Sequence, residues 1–306
     1  GQLWKFSERR LDEESAGGPA KTSSRPTASS LQPAGLLALE RDTLRSCHPS
    51  ADSSVREVID SAVKDGHKTL DNLEANDLLS SFGIPTPKTG KAGSFEEAKK
   101  LALDFGFPVV LKLSSPGLLH KKEIGGVITD IRNEDQLEVA WDCLERRITH
   151  LDQDIREHVS IQIQKEVASG VEVIVGVKDD PTFGKVLLFG AGGSLAELVM
   201  DRNLHLLPVD LEQAKNLVRA SKVYSLLKGG PHEPAYSLDK LYELIVDLGR
   251  LAQSVPEISE VEVNPVIVTL NGVWAVDCKV VLSKGRGRAV VPSQFKTATA
   301  TSCKLL

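Results

Sequence analysis

Gly106-Phe107-Pro108-Val109-Val110-Leu111-Lys112-Leu113-Ser114 is the stretch from which the fold is read. Gly106 closes a helical run, and Pro108–Leu113 reads as a strand. Val109, Leu111 and Leu113 then share one face, with Val110, Lys112 and Ser114 on the other. A strand lysine is commonly an edge or surface residue. A buried one facing a cleft needs an anion beside it, and a nucleotide phosphate supplies one.

Apolar spacing upstream predicts a helix over Leu70–Phe82 that stops at Gly83, followed by extended Ile84-Pro85-Thr86-Pro87. Ser94 with Glu97 is a capping-box start for the helix through Ala98–Phe105. Downstream come a strand at Val127–Ile131 and a helix at Asp135–Ile148. Strands are expected at Val159–Gln164, Val171–Val177 and Val186–Phe189, and helices at Leu211–Ser221 and Leu238–Ser254. Val261–Val263, Val266–Leu270 and Val273–Val281 close the series, with Asn271-Gly272 as a hairpin turn. The pattern is α+β, two lobes of strands and helices with a ligand cleft between them.

The flanks differ. Residues 1–65 are rich in Ser, with Pro and Gly, and poor in aromatic residues, which predicts a disordered tether. Residues 283–306 read as a flexible tail, and 66–282 as the folded domain, with lobes of about 66–155 and 156–282. Gly1 is not a start methionine and Met200 is the only Met, the pattern of a processed or truncated piece. A net charge of -5 argues against nucleic acid as a partner, since phosphate backbones want a basic surface. No apolar run reaches the length of a membrane span. Cys47, Cys143, Cys278 and Cys303 show no CxxC spacing, so free thiols and a cytoplasmic location are expected.

Several clusters bear chemistry. His120-Lys121-Lys122 precedes Gly125-Gly126, a pair whose backbone N–H groups can approach a phosphate. Lys165 to Val167 leads from a strand into a loop, where free backbone groups could meet an adenine ring, and Glu172 could accept from ribose. Phe189-Gly190-Ala191-Gly192-Gly193, with Glu197 and Asp201, is a second glycine-rich turn that lacks the dinucleotide-binding spacing. Glu260, Glu262 and Asn264 alternate, so all three project to one face. Two carboxylates there repel, and a hard cation such as Mg²⁺ would resolve this. Counting back from Asn271-Gly272 sets Asp277 opposite Val263–Val266, close enough to share the ion.

From Leu70 to Leu282 the ordered set of motifs resembles the ATP-grasp domain of ADP-forming acyl-CoA synthetases (acetate–CoA ligase, β part), relatives of the succinyl-CoA synthetase β subunit. The carriers are Gly83-Ile84-Pro85, Gly106–Lys112, His120-Lys121, Gly125-Gly126-Val127, Gly176, Asp180-Pro181-Thr182-Phe183-Gly184, Phe189–Gly193 with Glu197, and Glu262-Val263-Asn264-Pro265. The resemblance implies a two-lobed ATP-grasp fold that clamps ATP or ADP between two sheets. It implies that Lys112 holds the phosphates under a Gly125-Gly126 lid. Lys165 and Val167 would meet adenine, Glu172 ribose, and Asn264 and Asp277 Mg²⁺. Glu262 would orient an incoming phosphohistidine, and His120 would relay the phosphoryl group.

The departures are Lys122, Lys185, His205 and the run Lys228-Gly229-Gly230-Pro231-His232, and they bear on substrate-side contacts and turnover more than on nucleotide binding. The implied reaction is acyl-CoA + ADP + phosphate ⇌ carboxylate + CoA + ATP. It needs a CoA-binding domain and a phosphohistidine ligase domain, and neither is legible here. CoA is therefore expected only through an α subunit or a missing domain. Two other readings stay open: a different ATP-grasp carboxylate ligase, and a non-catalytic ATP-binding regulatory module.

Overall fold

The structure, a computed structural model, describes residues 56, 59–62, 68–115, 125–193, 201–230 and 234–283. They form two antiparallel sheets, each with its own core. The expectations for the two flanks, apart from a few residues at their inner edges, and for His120, Lys121, Lys122, Glu197, Pro231 and His232 lie outside the described residues.

The first sheet has the order β1-β4-β2-β3, from β1 (Thr89–Ala92), β2 (Val109–Ser114), β3 (Val127–Ile131) and β4 (Ser160–Lys165). Its inner face carries Val109, Leu111, Leu113, Ile161 and Ile163. They pack against Ala98 and Ala102 of α2 (Phe95–Phe105) and Leu137, Trp141 and Leu144 of α3 (Glu134–Ile148). Ser94 caps α2 by accepting from Glu97 N–H. The reciprocal half of the expected box is displaced by one residue, because the Glu97 carboxylate accepts from Gly93 N–H instead. α1 (Asn72–Ser81) begins later than its apolar spacing suggested, because the Asp71–Glu74 capping box sets its start.

A short α4 (Gln153–Arg156) precedes β4. The second sheet has the order β10-β8-β5-β6-β7, with β9 also on β8. It is built from β5 (Val171–Asp180), β6 (Gly184–Ala191), β7 (Arg202–Leu206), β8 (Ile258–Val268), β9 (Val273–Ala275) and β10 (Cys278–Leu282). α5 (Leu211–Arg219), the single-turn α6 (Tyr224–Leu227) and α7 (Leu238–Ser254) join it in one core.

Two placements move the expected lobe boundary near residue 155. β4 pairs with β1 and β2 and so belongs to the first sheet, which puts the crossing between Lys165 and Val171. α1, ahead of the first sheet in the chain, buries Ala75, Leu78 and Leu79 in the second core, beside β10. An apolar stripe says that a helix packs, not which sheet it packs on.

The strands expected at Val261–Val263 and Val266–Leu270 are one strand, β8, running through Pro265. Proline is tolerated because no N–H is asked of it. Val276 N–H donates to the Pro265 carbonyl and Asn264 N–H to the Asp277 carbonyl. The partner strand, expected unbroken over Val273–Val281, is interrupted at Val276 and Asp277.

Candidate functional site

β2 delivers Lys112 as the alternation requires, with Val110, Lys112 and Ser114 opposite the core-facing residues and all six strand residues buried. Lys112 is 6% exposed. Its ammonium reaches out of the first sheet and donates to the carbonyl of Val276 in the second lobe at 3.2 Å. Beside it Gln162 accepts from Asn72 of α1 at 2.9 Å, a second bond between the lobes. Asn72 Oδ1 and both amide atoms of Asn76 are buried without a partner among the described residues, so the floor between the lobes is polar.

The other oxygen donors converge on the same place. Asn264 and Asp277 are joined through Asn264 N–H to the Asp277 carbonyl at 2.9 Å. Asn264 Oδ1 accepts from Gly193 N–H at 3.1 Å. The Glu172 carboxylate lies so close to Gly193 that a Cβ there would overlap it. One connected path thus runs Glu172, Gly193, Asn264, Asp277, Val276, Lys112. Backbone groups of Val276, Asp277 and Gly193 link Lys112, Asn264 and Asp277, and Glu172 touches the same path at Gly193.

Glu262 lies on the same half-buried face of β8 as Asn264. Its side chain makes no hydrogen bond or ion pair among the described residues. Its charge is nevertheless felt: burial, reinforced by the carboxylates of Asp277 and Glu262, pushes the Cys278 thiol far up.

Glu260 departs from expectation. Its carboxylate is held by Lys279 at 2.9 Å and Lys178 at 3.3 Å. The bond to Lys279, with help from Lys178, draws its pKa below the ordinary glutamate value against the cost of partial burial. No cation is needed to reconcile it with Glu262. Among the described residues no group of three or more His, Cys, Asp or Glu could hold a metal. The oxygen-bearing side chains on the linked segments are those of Asn264 and Asp277.

Lys165 has its N–H bonded to the Lys88 carbonyl and its ammonium to the carbonyls of Gly106 and Phe107, at 2.8 and 3.0 Å. Its N–H and two of its three ammonium donors are therefore spent, and its backbone carbonyl is the acceptor it could offer a ligand. Val167 lies half-buried in the connection between β4 and β5. Gly125, at φ 66°, has its carbonyl held by Arg147 of α3, and the Gly126 carbonyl accepts from Leu113 N–H. The two glycines are tied to the first lobe at the root of the segment that carries His120.

The glycines of 190–193 serve close packing. A Cβ on Gly190 would strike the Asp201 carbonyl, and one on Gly192 the backbone of Val173. Asp201 itself is buried and accepts from Val223 N–H at 2.9 Å, which is a structural task.

One feature has no counterpart in the sequence reading. The open face of β5, β6 and β7 forms a trough of about 670 Å³, with Leu188, Leu204, Leu206 and Phe183 on its apolar side and Glu260 and Glu262 along its edge. Phe183 is 66% and Leu204 64% exposed. The alternation of Leu204 and Leu206 was the available signal for β7.

Residues 61–282 match the ATP-grasp domain family. Over 230 residues the chain is 33% identical to the β subunit of acetate–CoA ligase (ADP-forming) I from Pyrococcus furiosus, covering 75% of this chain and 98% of that one. The chain belongs to the ATP-grasp family, on the branch of ADP-forming acetate–CoA ligase β subunits. The ADP-forming acetate–CoA ligase I of Archaeoglobus fulgidus, at 31% identity over 74% of this chain, is much longer, and the match spans 33% of it. Among solved structures, the dinucleotide-forming acetyl-CoA synthetase 1 of Ca. Korarchaeum cryptofilum, with coenzyme A and Ca-AMPCP, superposes with a TM-score of 0.70. It is 31% identical over 74% of this chain and 99% of that one. Another structure of that protein holds coenzyme A and Mg-AMPPCP, with a phosphohistidine segment pointing towards the nucleotide site (TM-score 0.65, 30% identity, 75% and 100% covered). The relatives are ligases, and the α+β, two-lobed ATP-grasp fold expected of the chain is the fold found. No helix among the described residues is long and apolar enough to cross a membrane.

Proposed function

We propose that this chain is the nucleotide-binding β component of an ADP-forming acyl-CoA ligase of the acetate–CoA type. Its part is to move a phosphoryl group between ATP/ADP and an enzyme histidine. The observation that carries this reading is the convergence of Lys112 with Asn264 and Asp277 across the two lobes, through the Val276 carbonyl. A buried ammonium beside paired oxygen donors suits a polyphosphate with its cation.

Lys112 would neutralise phosphate oxygens, and Gly125-Gly126 would form the lid over them. The carbonyl of Lys165 and the N–H of Val167 would meet adenine, and Glu172 would accept from ribose. Mg²⁺ fits Asn264 and Asp277, since it takes a few protein oxygens and leaves the rest of its shell to water and phosphate. When bound it would spread the charge that builds on the phosphoryl oxygens. Glu262 has no ion-pair partner among the described residues and stands at the edge of the trough, where it could accept from an incoming imidazole. His120 would relay the phosphoryl group.

The acyl and CoA chemistry would lie in an α subunit or a further domain, as the difference in length between the Pyrococcus and Archaeoglobus relatives suggests. Nucleotide chemistry and the free thiols of Cys143 and Cys278 suit the cytoplasm.

The test is incubation with Mg²⁺ and γ-labelled ATP, with and without a CoA-binding partner, and mapping of the label. Acid-labile label on histidine, lost in His120→Asn while ATP still binds, is the expected result. Binding of Mg-ATP with no labelled histidine, even when the partner is supplied, would instead make the chain a regulatory ATP-binding module. Acyl phosphate formed without a phosphohistidine would make it a direct carboxylate ligase.

A further inference from the structure

The Val276 carbonyl has a second donor from the first lobe. Gln164, on β4, is 1% exposed, and its amide Nε2 donates to Val276 O at 3.3 Å and to Thr89 Oγ1 at 2.9 Å. Thr89 is its cross-strand neighbour on β1. The Thr89 hydroxyl donates to the Pro87 carbonyl, so it presents a lone pair to Gln164. Both amide N–H groups are thereby spent, and the orientation is determined. Turning the amide over would set its oxygen against the Val276 carbonyl.

The Val276–Asp277 peptide lies in the gap between β9 and β10, and the peptides on either side of it are held within the second lobe. Val276 N–H donates to the Pro265 carbonyl and Asn264 N–H to the Asp277 carbonyl. Lys112 shares the Val276 carbonyl, but an ammonium that turns to balance phosphate oxygens weakens its hold on a peptide carbonyl. Gln164 carries no charge for a phosphate to draw away.

We infer that Gln164 is a positioning residue for Asp277. It ties the Val276–Asp277 peptide to the first lobe, so that the Asp277 carboxylate stands beside Asn264, and it keeps the peptide there when Lys112 engages phosphate. The inference rests on the nucleotide and metal reading proposed above. Gln164 acts through the peptide and not on the nucleotide.

The test uses the full chain and Gln164→Met, which keeps the length of the side chain and removes its donors. Two readouts are needed. The first is hydrogen exchange over residues 273–282 in the ligand-free protein, expected to quicken about 5- to 10-fold, the worth of one net hydrogen bond. The second is calorimetry of AMPPCP with Mg²⁺ and with EDTA. The gain in affinity that Mg²⁺ brings should shrink by about 5- to 10-fold on the same footing, while binding in EDTA stays within about twofold. Gln164→Glu, which when ionised cannot donate and repels the carbonyl, should move both readouts further in the same direction. Should Gln164→Met not fold, Thr89→Val, which frees the amide to rotate, carries the test, with smaller shifts of the same sign expected.

Unchanged exchange together with an unchanged Mg²⁺ gain overturns the inference. So does an equal loss of affinity with and without Mg²⁺, which would make Gln164 a packing residue. Wild-type protein that binds nucleotide no better with Mg²⁺ than in EDTA would sink the metal reading itself and this inference with it.

Discussion

Lys112, on the first sheet, donates to the backbone carbonyl of Val276, the residue before Asp277 on the second, at 3.2 Å. A buried ammonium is costly unless hydrogen-bonded or paired, and here its bond crosses the cleft. The position is one from which a short rotation of a flexible stem meets an anion entering between the lobes.

Lys112→Met removes the charge and keeps the volume and most of the stem, so the sheet should survive. Nucleotide affinity should fall about 10- to 100-fold, the range for losing a charge-assisted hydrogen bond. Calorimetry with ADP checks it, and undiminished affinity would take Lys112 out of the site.

Asp277→Asn tests the metal assignment. The substitution keeps the size of the side chain and leaves the backbone bond to Asn264 in place. Mg²⁺-dependent binding should weaken about 10-fold or more, on the scale seen when even supporting residues of metal sites are lost. Binding in EDTA should change far less. Equal losses in the two conditions would mean that Asp277 is not a ligand.

Much of this site was legible because its signals are local. The alternation in Val109–Ser114 put Lys112 on the face away from the core, and the Asn271-Gly272 turn let Asp277 be counted back to within a residue or two of Asn264. What could not be read depends on partners far away in the chain. Glu260 looked unbalanced beside Glu262, yet Lys178 and Lys279 flank it from the two neighbouring strands. The Gln164 bond to Val276 spans the two lobes, and no periodicity in either strand announces it. β1 has four residues and no apolar alternation, so only its pairing with β4 reveals it.

Glu260 supplies a prediction about pH. Its folded-state pKa lies below the unfolded value of about 4.3, chiefly through the bond to Lys279. The stabilisation is therefore present in full above that value and is lost as pH falls through the lowered one. Lys178 and Lys279 are well exposed, so screening keeps the effect small. Glu260→Gln should cost about 0.5–1 kcal/mol at pH 7, and the gap from wild type should close on going below about pH 4. Urea denaturation at the two pH values measures it. Since Glu260 is paired with lysines, Mg-nucleotide affinity should not change, and a marked fall would return Glu260 to the metal site.

Gly190 is required for a reason other than backbone freedom. It is in β6, paired with Arg202 of β7, and a Cβ there would meet the Asp201 carbonyl. Backbone cannot yield as a flexible side chain can, so Gly190→Ala must push β7 away from β6 or unseat Asp201 from Val223 N–H. The expected cost is about 3 kcal/mol, the upper part of the usual range for overpacking. Gly83 is the control. It sits at φ 79° with nothing near a would-be Cβ, so Gly83→Ala should cost only the left-handed backbone penalty of about 1–2 kcal/mol. Urea midpoints for the two variants decide the matter. A Gly190→Ala protein no less stable than Gly83→Ala would show that the contact with Asp201 is not what excludes a side chain.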